Sequence, residues 1–276
     1  MPGSNARAIE KARSLNCDAV IFDLEDSVAP SMKAQAREQV AQALSDGGFG
    51  ERQIAVRTNG LDTADFALDL PLARQADVVV VPKVSTPEQL ADCQAALSGS
   101  AAMLWVMIET PQAILNIREM SAKAAELAPS LRAFVIGAND LAKDAGVPQV
   151  EGRWNMLSWF SEVVLAASAA GLGVMDSVSN NFRELEAFAR ECEQGAALGM
   201  QGKTLIHPAQ IEAANRAFGP IQADIKRAEA IISTFSDPAN ADKGAVQIDG
   251  EMVERLHLQG AEEVIRRASA LNLMPE

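Results

Sequence analysis

The sequence predicts an α/β fold: a TIM (β/α)8 barrel that lacks its first strand, followed by a C-terminal helical extension. Short apolar runs alternate with longer helical patterns along most of the 276 residues, which is typical of parallel strands covered by helices on both faces. Polar side chains follow nearly every apolar run, as at the rim of a barrel active site. The sequence contains neither a G-x-G-x-x-G motif nor a P-loop, which would have indicated an open nucleotide-binding sheet instead.

Seven strands are predicted from the apolar runs. In chain order they are Ala19–Leu24, Gln53–Arg57, Val78–Pro82, Met103–Glu109, Ala133–Gly137, Gly173–Asp176 and Lys203–Ile206. The chain opens on a predicted helix, Asn5–Leu15, and a barrel of eight strands would need one more strand before Met1. We therefore expect that first strand to be missing from this chain.

Helical patterns occupy most segments between the strands. The predicted helices are Met32–Leu44, Pro87–Leu97, Pro111–Glu126, Trp154–Ala170 and Phe182–Leu198. Two of them start with a Thr-Pro pair, at Thr86 and Thr110. Proline suits the first turn of a helix because its missing N–H would have no partner there.

Beyond the last strand the sequence predicts a separate C-terminal region. His207–Phe218 and Ile221–Phe235 are predicted helices, and the stretch SDPANADKGAVQIDG (residues 236–250) is rich in turn-forming residues and indicates a connector. A final helix is predicted near Val253–Leu271. We divide the chain into a barrel domain, residues 1–235, and a linker with a helical extension, residues 236–276, that packs on a neighbouring subunit.

Composition and charge exclude several classes of protein. Mean hydropathy is +0.02, and no transmembrane helix is expected because no window approaches 18 uncharged apolar residues. The N-terminal stretch MPGSNARAIEKARS lacks an apolar signal-peptide core, which indicates a cytoplasmic protein. A net charge of −13 argues against a nucleic-acid or membrane surface. The three cysteines form no C-x-x-C pair and are expected to be reduced thiols.

Two carboxylates, Glu109 and Asp140, end neighbouring strands of the predicted sheet. Adjacent strands lie about 4.8 Å apart, so the pair can share a hard cation. Magnesium typically takes one or two protein carboxylates and keeps its other positions for water and substrate. The alternative is structural: Glu109 caps its following helix and Asp140 forms an Asx-turn in GANDL. Because the two residues follow neighbouring strands, we favour metal binding over helix capping.

A second set of charged residues stands at the ends of the first three predicted strands. Asp23, Glu25 and Asp26 would be costly to bury without partners. Arg57, in VRTNG, offers a bidentate fork to a substrate carboxylate or carbonyl oxygen, or alternatively a structural ion pair with Asp23 or Glu25. Lys83 can pair with the same acids or act as a Schiff-base lysine, a role that a metal site would make redundant.

His207, in GKTLIHPAQI, is one of only two histidines, the other being His257. No G-x-S-x-G elbow accompanies it, so a catalytic triad is not indicated. A hydrogen-bonded structural histidine at the barrel rim and a catalytic histidine both stay open.

Taken together, the motifs resemble the HpcH/HpaI aldolase and citrate lyase family, in particular its citrate lyase beta-subunit-like branch. They are PGSNARAIEKARSLNCDAVIFDLEDSVAP, VRTNG, VPK, IET, GANDL and GKTLIHPAQI, in this order. The resemblance implies a magnesium-dependent TIM barrel that cleaves or forms the C–C bond of a 3-hydroxyacyl thioester, such as citryl-CoA or malyl-CoA. The products would be an acyl-CoA, or an acyl-carrier protein, and a 2-oxo acid.

The resemblance also implies roles for individual residues. Glu109 and Asp140 would be the magnesium ligands, and Arg57 would grip the 2-oxo acid. Glu25 and Asp26 match the acidic pair of the family, which supports the substrate and the water bound to the metal. We also expect Lys83 and His207 to contact the substrate.

Two departures from the family pattern stand out. A strand of the type R-S-x-L-F-V usually precedes the Pro-Gly pair found here at Pro2, in agreement with the count of seven. The C-terminal family pattern D/E-G-x-M-I/V-D-x-P carries an Asp that enters the site of a neighbouring subunit in a homotrimer or higher homo-oligomer. Here DGEMVERLH places Glu254 at that Asp and Leu256 at the Pro. Glu254, or else Asp26, is the expected proton donor to the thioester enolate.

Two other functions are compatible with the sequence. One is a metal-dependent aldolase of 4-hydroxy-2-oxo acids, which would not need the extension after residue 236. The other is a non-catalytic barrel subunit, which would not need Arg57, Glu109 and Asp140 together. The sequence does not distinguish CoA from a carrier protein, name the acyl group, or indicate whether hydrolysis accompanies cleavage.

Overall fold

Seven parallel strands form one sheet whose spatial order follows the chain from the first strand to the seventh. The computed structural model describes residues 1–270. The strands are β1 Ala19–Asp23, β2 Gln53–Arg57, β3 Val78–Val81, β4 Met103–Ile108, β5 Leu131–Ile136, β6 Gly173–Asp176 and β7 Gly202–Lys203. All seven overlap predicted strands, although β7 shares only Lys203 with the predicted strand Lys203–Ile206. This sheet, covered by helices, confirms the TIM-barrel-like fold.

The helices alternate with the strands. They are α1 Ala6–Ala12, α2 Lys33–Asp46, α3 Ala64–Ala73, α4 Pro87–Ala96, α5 Pro111–Leu127, α6 Ala138–Ala145, α7 Leu157–Ala169, α8 Leu185–Ala197 and α9 Ile211–Phe218. The hydroxyls of Thr86 and Thr110 cap α4 and α5, as their Thr-Pro pairs predict. Two helices were not predicted: α3, because Pro71 interrupts its pattern, and α6, because it has only 8 residues.

The edge of the sheet at β1 pairs with the first residues of the chain. The Asp23 N–H donates to the Met1 carbonyl at 2.9 Å, and the Gly3 N–H donates to the Asp23 carbonyl at 2.8 Å. Pro2 forms a parallel bridge with Asp23. Within the described residues β7 does not pair with β1, so seven strands form the sheet, as the sequence indicates. An additional first strand stays a prediction.

The two faces of the sheet differ in what covers them. One face carries an apolar cluster whose members alternate along the strands: Ala55, Val78, Val80, Trp105, Met107, Ala133 and Val135. We call this the inner face. Because side chains alternate with a period of two, Asp23, Arg57 and Glu109 continue the inner face at the strand ends. Asp176 has the opposite parity and points towards the helices.

The C-terminal part of the chain groups separately. A first compact unit spans Met1–Ala213 and a second begins at Ala214. In the second unit, α10 Gln222–Ser236 packs against α11 His257–Ala270. A boundary between residues 235 and 236, as predicted from the sequence, would separate these two helices. The packing of this region on a neighbouring subunit stays a prediction.

The stretch 236–250 is not a plain connector, contrary to the sequence analysis. It contains β8 Ala245–Ile248, which pairs antiparallel with β9 Glu251–Glu254. The turn consists of Asp249 and Gly250, both at positive φ, and Asp-Gly is a strong signal for a two-residue hairpin. As a result the final helix begins at His257 rather than near Val253. Its predicted end, Leu271, lies outside the described residues.

In the part of the chain that the structure describes, no helix combines the length and apolar character needed to cross a bilayer. The cytoplasmic location expected from the N-terminal sequence stays a prediction.

Candidate active site at the carboxyl ends of the strands

Asp23 and Arg57 form an ion pair on the inner face, opposite each other at the last positions of β1 and β2. Arg57 Nε donates to Asp23 Oδ1 at 2.6 Å, and Nη2 donates to Oδ2 at 2.5 Å. Asp23 also accepts from the N–H groups of Glu25 and Ser27 and from the Ser27 hydroxyl. Burial alone would raise the pKa of Asp23, but Arg57 and these donors lower it to about 2.

The ion pair does not use all of the Arg57 guanidinium. A guanidinium has five N–H donors, and Asp23 engages Nε and one hydrogen of Nη2. Nη1 lies 2.9 Å from Glu25 Oε2 and near the sulfur of Met107. The structural ion pair and the substrate role, which the sequence presented as alternatives, are therefore compatible.

Glu25 is buried with only part of its hydrogen-bonding capacity used. Lys83 Nζ donates to Oε1 at 2.9 Å. Oε2 makes only the ion-pair contact with Arg57, and within the described residues no donor hydrogen-bonds to it. Burial raises the pKa of Glu25, opposed by Arg57 and Lys83. The neighbouring Asp26 is exposed, and its Oδ1 lies 3.9 Å from Lys83 Nζ.

Lys83 connects Glu25 to Glu109. Its φ is 57°, a left-handed conformation that is unusual for lysine. The backbone N–H of Lys83 donates to Glu109 Oε1 at 2.8 Å, while its side chain reaches Glu25. Burial lowers the pKa of Lys83, but the Glu25 carboxylate outweighs this and raises it. A Schiff-base lysine must lose its proton, so this environment disfavours that role.

Glu109 and Asp140 come together at the ends of β4 and β5. Ile108 pairs with Ile136, which brings Glu109 beside Gly137. A Cβ at Gly137 would collide with the Glu109 carboxylate, so the absence of a side chain there leaves room for the carboxylate. Asp140 lies three residues further on, half-buried in the first turn of α6.

The Glu109 carboxylate lies in an unfavourable electrostatic environment. It is 1% exposed, and burial together with the charges of Glu25 and Asp140 raises its pKa to about 8. A bound cation would relieve both effects. Within residues 1–270 no group of three or more His, Cys, Asp or Glu side chains forms a metal site. Two carboxylates with positions left for water and substrate fit a hard divalent cation such as magnesium.

A hydrogen-bond network that the sequence analysis missed holds the loops that carry these groups. Lys33 Nζ donates to the carbonyls of Leu24 and Glu25 and, at 2.5 Å, to Asn59 Oδ1. Asn59 donates to the Leu24 carbonyl and, through its backbone and side chain, to the fully buried Asp69. Asn59 falls within VRTNG, but Lys33 and Asp69 lie on helices and follow no motif. The network ties the β1 loop to the β2 loop.

Within the described residues, His207 and Asp176 make no hydrogen bond or ion pair with the cluster around Arg57, Glu25 and Glu109. His207 is exposed, its Nδ1 accepts from the Ala209 N–H at 3.1 Å, and its ring stacks on Phe182. The structure thus shows the capping arrangement, and substrate contact by His207 stays a prediction. Asp176, on the outer face, is buried between Arg153 at 2.6 Å and Lys203 at 2.7 Å, which identifies it as a structural ion-pair partner.

Glu254 belongs to the second compact unit. It ends β9, and its backbone N–H donates to Nδ1 of His257 at 3.0 Å. Its side chain is half-buried.

Three comparisons identify proteins similar to this chain. The model of the family described as HpcH/HpaI aldolase/citrate lyase matches residues 1–208. A (3S)-malyl-CoA thioesterase of Cereibacter sphaeroides is 41% identical over 98% of this chain and 93% of its own. The mitochondrial citramalyl-CoA lyase of Homo sapiens is 30% identical over 98% of this chain and 84% of its own.

A solved structure is also similar to this chain. It is the protein CitE of Mycobacterium tuberculosis in complex with magnesium, acetoacetate and coenzyme A. The sequences are 27% identical, the TM-score is 0.76, and the match covers 98% of this chain and 96% of that chain.

Proposed function

The chain belongs to the HpcH/HpaI aldolase/citrate lyase family, and on this premise we propose that it is a magnesium-dependent carbon–carbon lyase of the citrate lyase type. Its substrates are 3-hydroxyacyl thioesters with a second carboxylate, such as malyl-CoA or citryl-CoA. Cleavage yields an acyl thioester and a 2-oxo acid. The observation that carries the proposal is the buried carboxylate of Glu109, which lies close to the charges of Glu25 and Asp140. Glu109 and Arg57 both continue the inner face of the sheet.

Glu109 and Asp140 would hold the magnesium ion. When bound, Mg²⁺ would act as a Lewis acid on the hydroxyl and carboxylate oxygens of the substrate. A chain with a net charge of −13 would otherwise repel a polyanionic thioester. Related solved structures support the metal, because CitE of Mycobacterium tuberculosis was solved with magnesium and acetoacetate, and with magnesium and pyruvate.

The residues of this chain then bind the substrate and move the proton. Arg57, oriented by Asp23, donates its remaining N–H groups to the oxygen that becomes the oxo group. Lys83 stays protonated and screens Glu25 from the substrate carboxylate. The carboxylate of Asp26, which is exposed at the mouth, or of Glu254 of another subunit accepts the proton of the substrate hydroxyl as the C–C bond breaks and the oxo group forms, and then gives that proton to the carbon of the departing enolate.

A second candidate function is thioester hydrolysis. The observation that favours it is that the relative of 41% identity is named as a (3S)-malyl-CoA thioesterase, whereas the lyase relative is 30% identical. Both reactions use the same class of substrate. They differ in the bond that breaks.

Product analysis tests both functions. The purified protein with Mg²⁺ is incubated with citryl-CoA, malyl-CoA or citramalyl-CoA, and the 2-oxo acid, acetyl-CoA and free CoA are quantified. Equal amounts of 2-oxo acid and acetyl-CoA support the lyase. Free CoA and a hydroxy acid, without 2-oxo acid, identify the thioesterase. Turnover of a free 4-hydroxy-2-oxo acid but of no thioester would instead support the aldolase.

Magnesium affinity should depend on pH. The metal needs the deprotonated form of Glu109, whose pKa is about 8 in the metal-free protein, so binding releases a proton below that pH. We expect the affinity to rise about tenfold per pH unit between pH 6 and 8, and to level off above. Calorimetry in buffers of different ionisation enthalpy measures both affinity and proton release. A flat profile between pH 6 and 8 would contradict the pKa.

The pH dependence of stability should run in the opposite direction. The pKa of Glu109 lies above its unfolded value of 4.5, so its contribution is fully present below pH 4.5 and is lost as the pH rises through about 8. The melting-temperature increase caused by Mg²⁺ should therefore be larger at pH 8.5 than at pH 6.5. Thermal unfolding with Mg²⁺ or EDTA checks this.

A cross-subunit role of Glu254 forms part of the proposal, together with a homotrimer. We expect an inactive Arg57→Ala protein and an inactive Glu254→Ala protein to regain partial activity once their subunits are exchanged. The reason is that some sites would then combine an intact Arg57 with an intact Glu254. Native mass spectrometry verifies the exchange and the oligomeric state. Full activity of Glu254→Ala alone would leave Asp26 as the proton donor.

A further inference from the structure

Ser177, the first residue after β6, is fully buried and yet its hydroxyl has no hydrogen-bond partner among the described residues. Its backbone is well held, since the Ser177 N–H donates to Asp176 Oδ1 at 2.8 Å. A buried hydroxyl without a partner opposes folding, because it loses its hydrogen bonds to water and gains none in return. Such a group at the end of a strand indicates a partner that binds there.

The parity of β6 assigns Ser177 to the inner face of the sheet rather than to the side of the helices. Met175, two residues earlier, packs against the inner-face cluster, and side chains alternate with a period of two. Ser177 therefore lies on the same face as Glu109. Asp176, with the opposite parity, is held by Arg153 and Lys203 on the outer face.

The neighbouring strand places no side chain beside Ser177. Val135 of β5 pairs with Met175, so two residues further on Gly137 comes beside Ser177. Gly137 has no side chain, and the Glu109 carboxylate extends into the space that a Cβ would take. Ser177 thus lies beside Gly137, over which the side chain of the expected metal ligand Glu109 extends.

Arg57 and Ser177 lie on distant strands of one curled sheet. Arg57 ends β2 and Ser177 follows β6, four strands along the sheet order. In a barrel-like sheet these strands face each other across the lumen. Between them lie the carboxylates Glu25, Glu109 and Asp140, so a bound anion needs hydrogen-bond donors on both sides.

We propose that Ser177 is a substrate-binding residue whose hydroxyl donates a hydrogen bond to the carboxylate of the 2-oxo acid, while Arg57 holds the oxo oxygen. The inference rests on the proposed function. It adds to the site a residue that belongs to none of the motifs that indicate the family. No proton or electron is transferred at Ser177, so its role is binding and orientation.

The test measures binding directly. Titration calorimetry with pyruvate or glyoxylate, at saturating Mg²⁺, compares the wild type with Ser177→Ala and Ser177→Cys. We expect about a tenfold loss of affinity in Ser177→Ala, because the substitution removes one hydrogen bond to a charged carboxylate. Ser177→Cys, which keeps a weak donor, should lie in between. Mg²⁺ affinity without oxo acid should stay unchanged in both variants, and Ser177→Ala should not lower the melting temperature, because it removes a buried hydroxyl that has no partner in the ligand-free protein.

Ser121→Ala is the matched control. Ser121 is also buried with an unpartnered hydroxyl, but it lies on α5, away from the strand ends. Its substitution should leave oxo-acid affinity unchanged. Equal affinity of Ser177→Ala and wild type would overturn the assignment of Ser177 alone, as would a loss of affinity for Mg²⁺ by itself. If the wild type binds neither oxo acid with Mg²⁺, both the proposed function and this inference are wrong.

Discussion

Glu109→Gln and Asp140→Asn should each abolish detectable turnover and weaken Mg²⁺ binding by more than about 100-fold, since even residues that only orient metal ligands contribute 10- to 100-fold. Each substitution keeps the shape of the side chain and removes one anionic ligand. Glu119→Gln is the control. Glu119 is an exposed glutamate on α5, the helix that follows Glu109, and it pairs with Lys123. Calorimetry with Mg²⁺ and the thioester assay provide the two measurements.

The same Glu109 substitution should stabilise the metal-free protein. A buried carboxylate that faces two like charges opposes folding once it ionises, and glutamine removes that charge. We expect Glu109→Gln to melt at a higher temperature than the wild type at pH 9 in EDTA, and to differ little at pH 5. Unchanged Mg²⁺ affinity in both Glu109→Gln and Asp140→Asn would show that the metal site lies elsewhere.

Arg57→Met should abolish activity and also destabilise the fold by about 3–5 kcal/mol, the usual result of breaking a buried ion pair by removing one partner. Asp23 would remain buried without its two hydrogen bonds from a cation, and Glu25 would lose one of the two cations that lie 2.9 Å from it. Urea unfolding measures the change in the free energy of unfolding. Arg118→Met is a suitable control because Arg118 pairs with Glu162 at the surface, where such pairs contribute about 0–1 kcal/mol.

The pH dependence of this loss follows from Asp23. Its pKa is about 2, below its unfolded value of 3.8, so its contribution to stability is present above pH 3.8 and is lost as the pH falls through 2. The difference between wild type and Arg57→Met should therefore be largest near neutral pH and shrink in acid.

A double substitution separates the two roles of Arg57. Combining Asp23→Asn with Arg57→Met removes both charges of the ion pair, so no buried carboxylate is left without its cation at position 23. Most of the lost stability should therefore return. Activity should not return, because the substrate oxygen still lacks its donors. A double variant that regains activity would show that Arg57 acts only as a structural partner of Asp23.

Local patterns in the sequence were sufficient to predict the strands and the positions of the acids. Each strand is a short apolar run, and Glu109 and Asp140 follow two consecutive runs. The motif order, taken as a resemblance, also predicted the family, which the comparisons confirm. The Asp-Gly pair at residues 249–250 carried a hairpin signal that the sequence analysis overlooked.

The contacts between distant segments could not be predicted in this way. Lys33, Asn59 and Asp69 lie on different elements, and their hydrogen bonds link positions 26 and 10 residues apart. Nothing in the local pattern around Lys33 or Asp69 marks them, because each residue type is common on helix surfaces.

What the sequence by itself determined is which residues stand at the strand ends, since hydrophobic runs mark where each strand stops. What only the tertiary structure decided is which of those residues share a site. Asp176 and Glu109 both end apolar strands, yet one faces the helices and the other the lumen. The physical reason is the two-residue alternation of a strand: a shift of one position reverses the face, and packing of the whole sheet, rather than local propensity, sets that register.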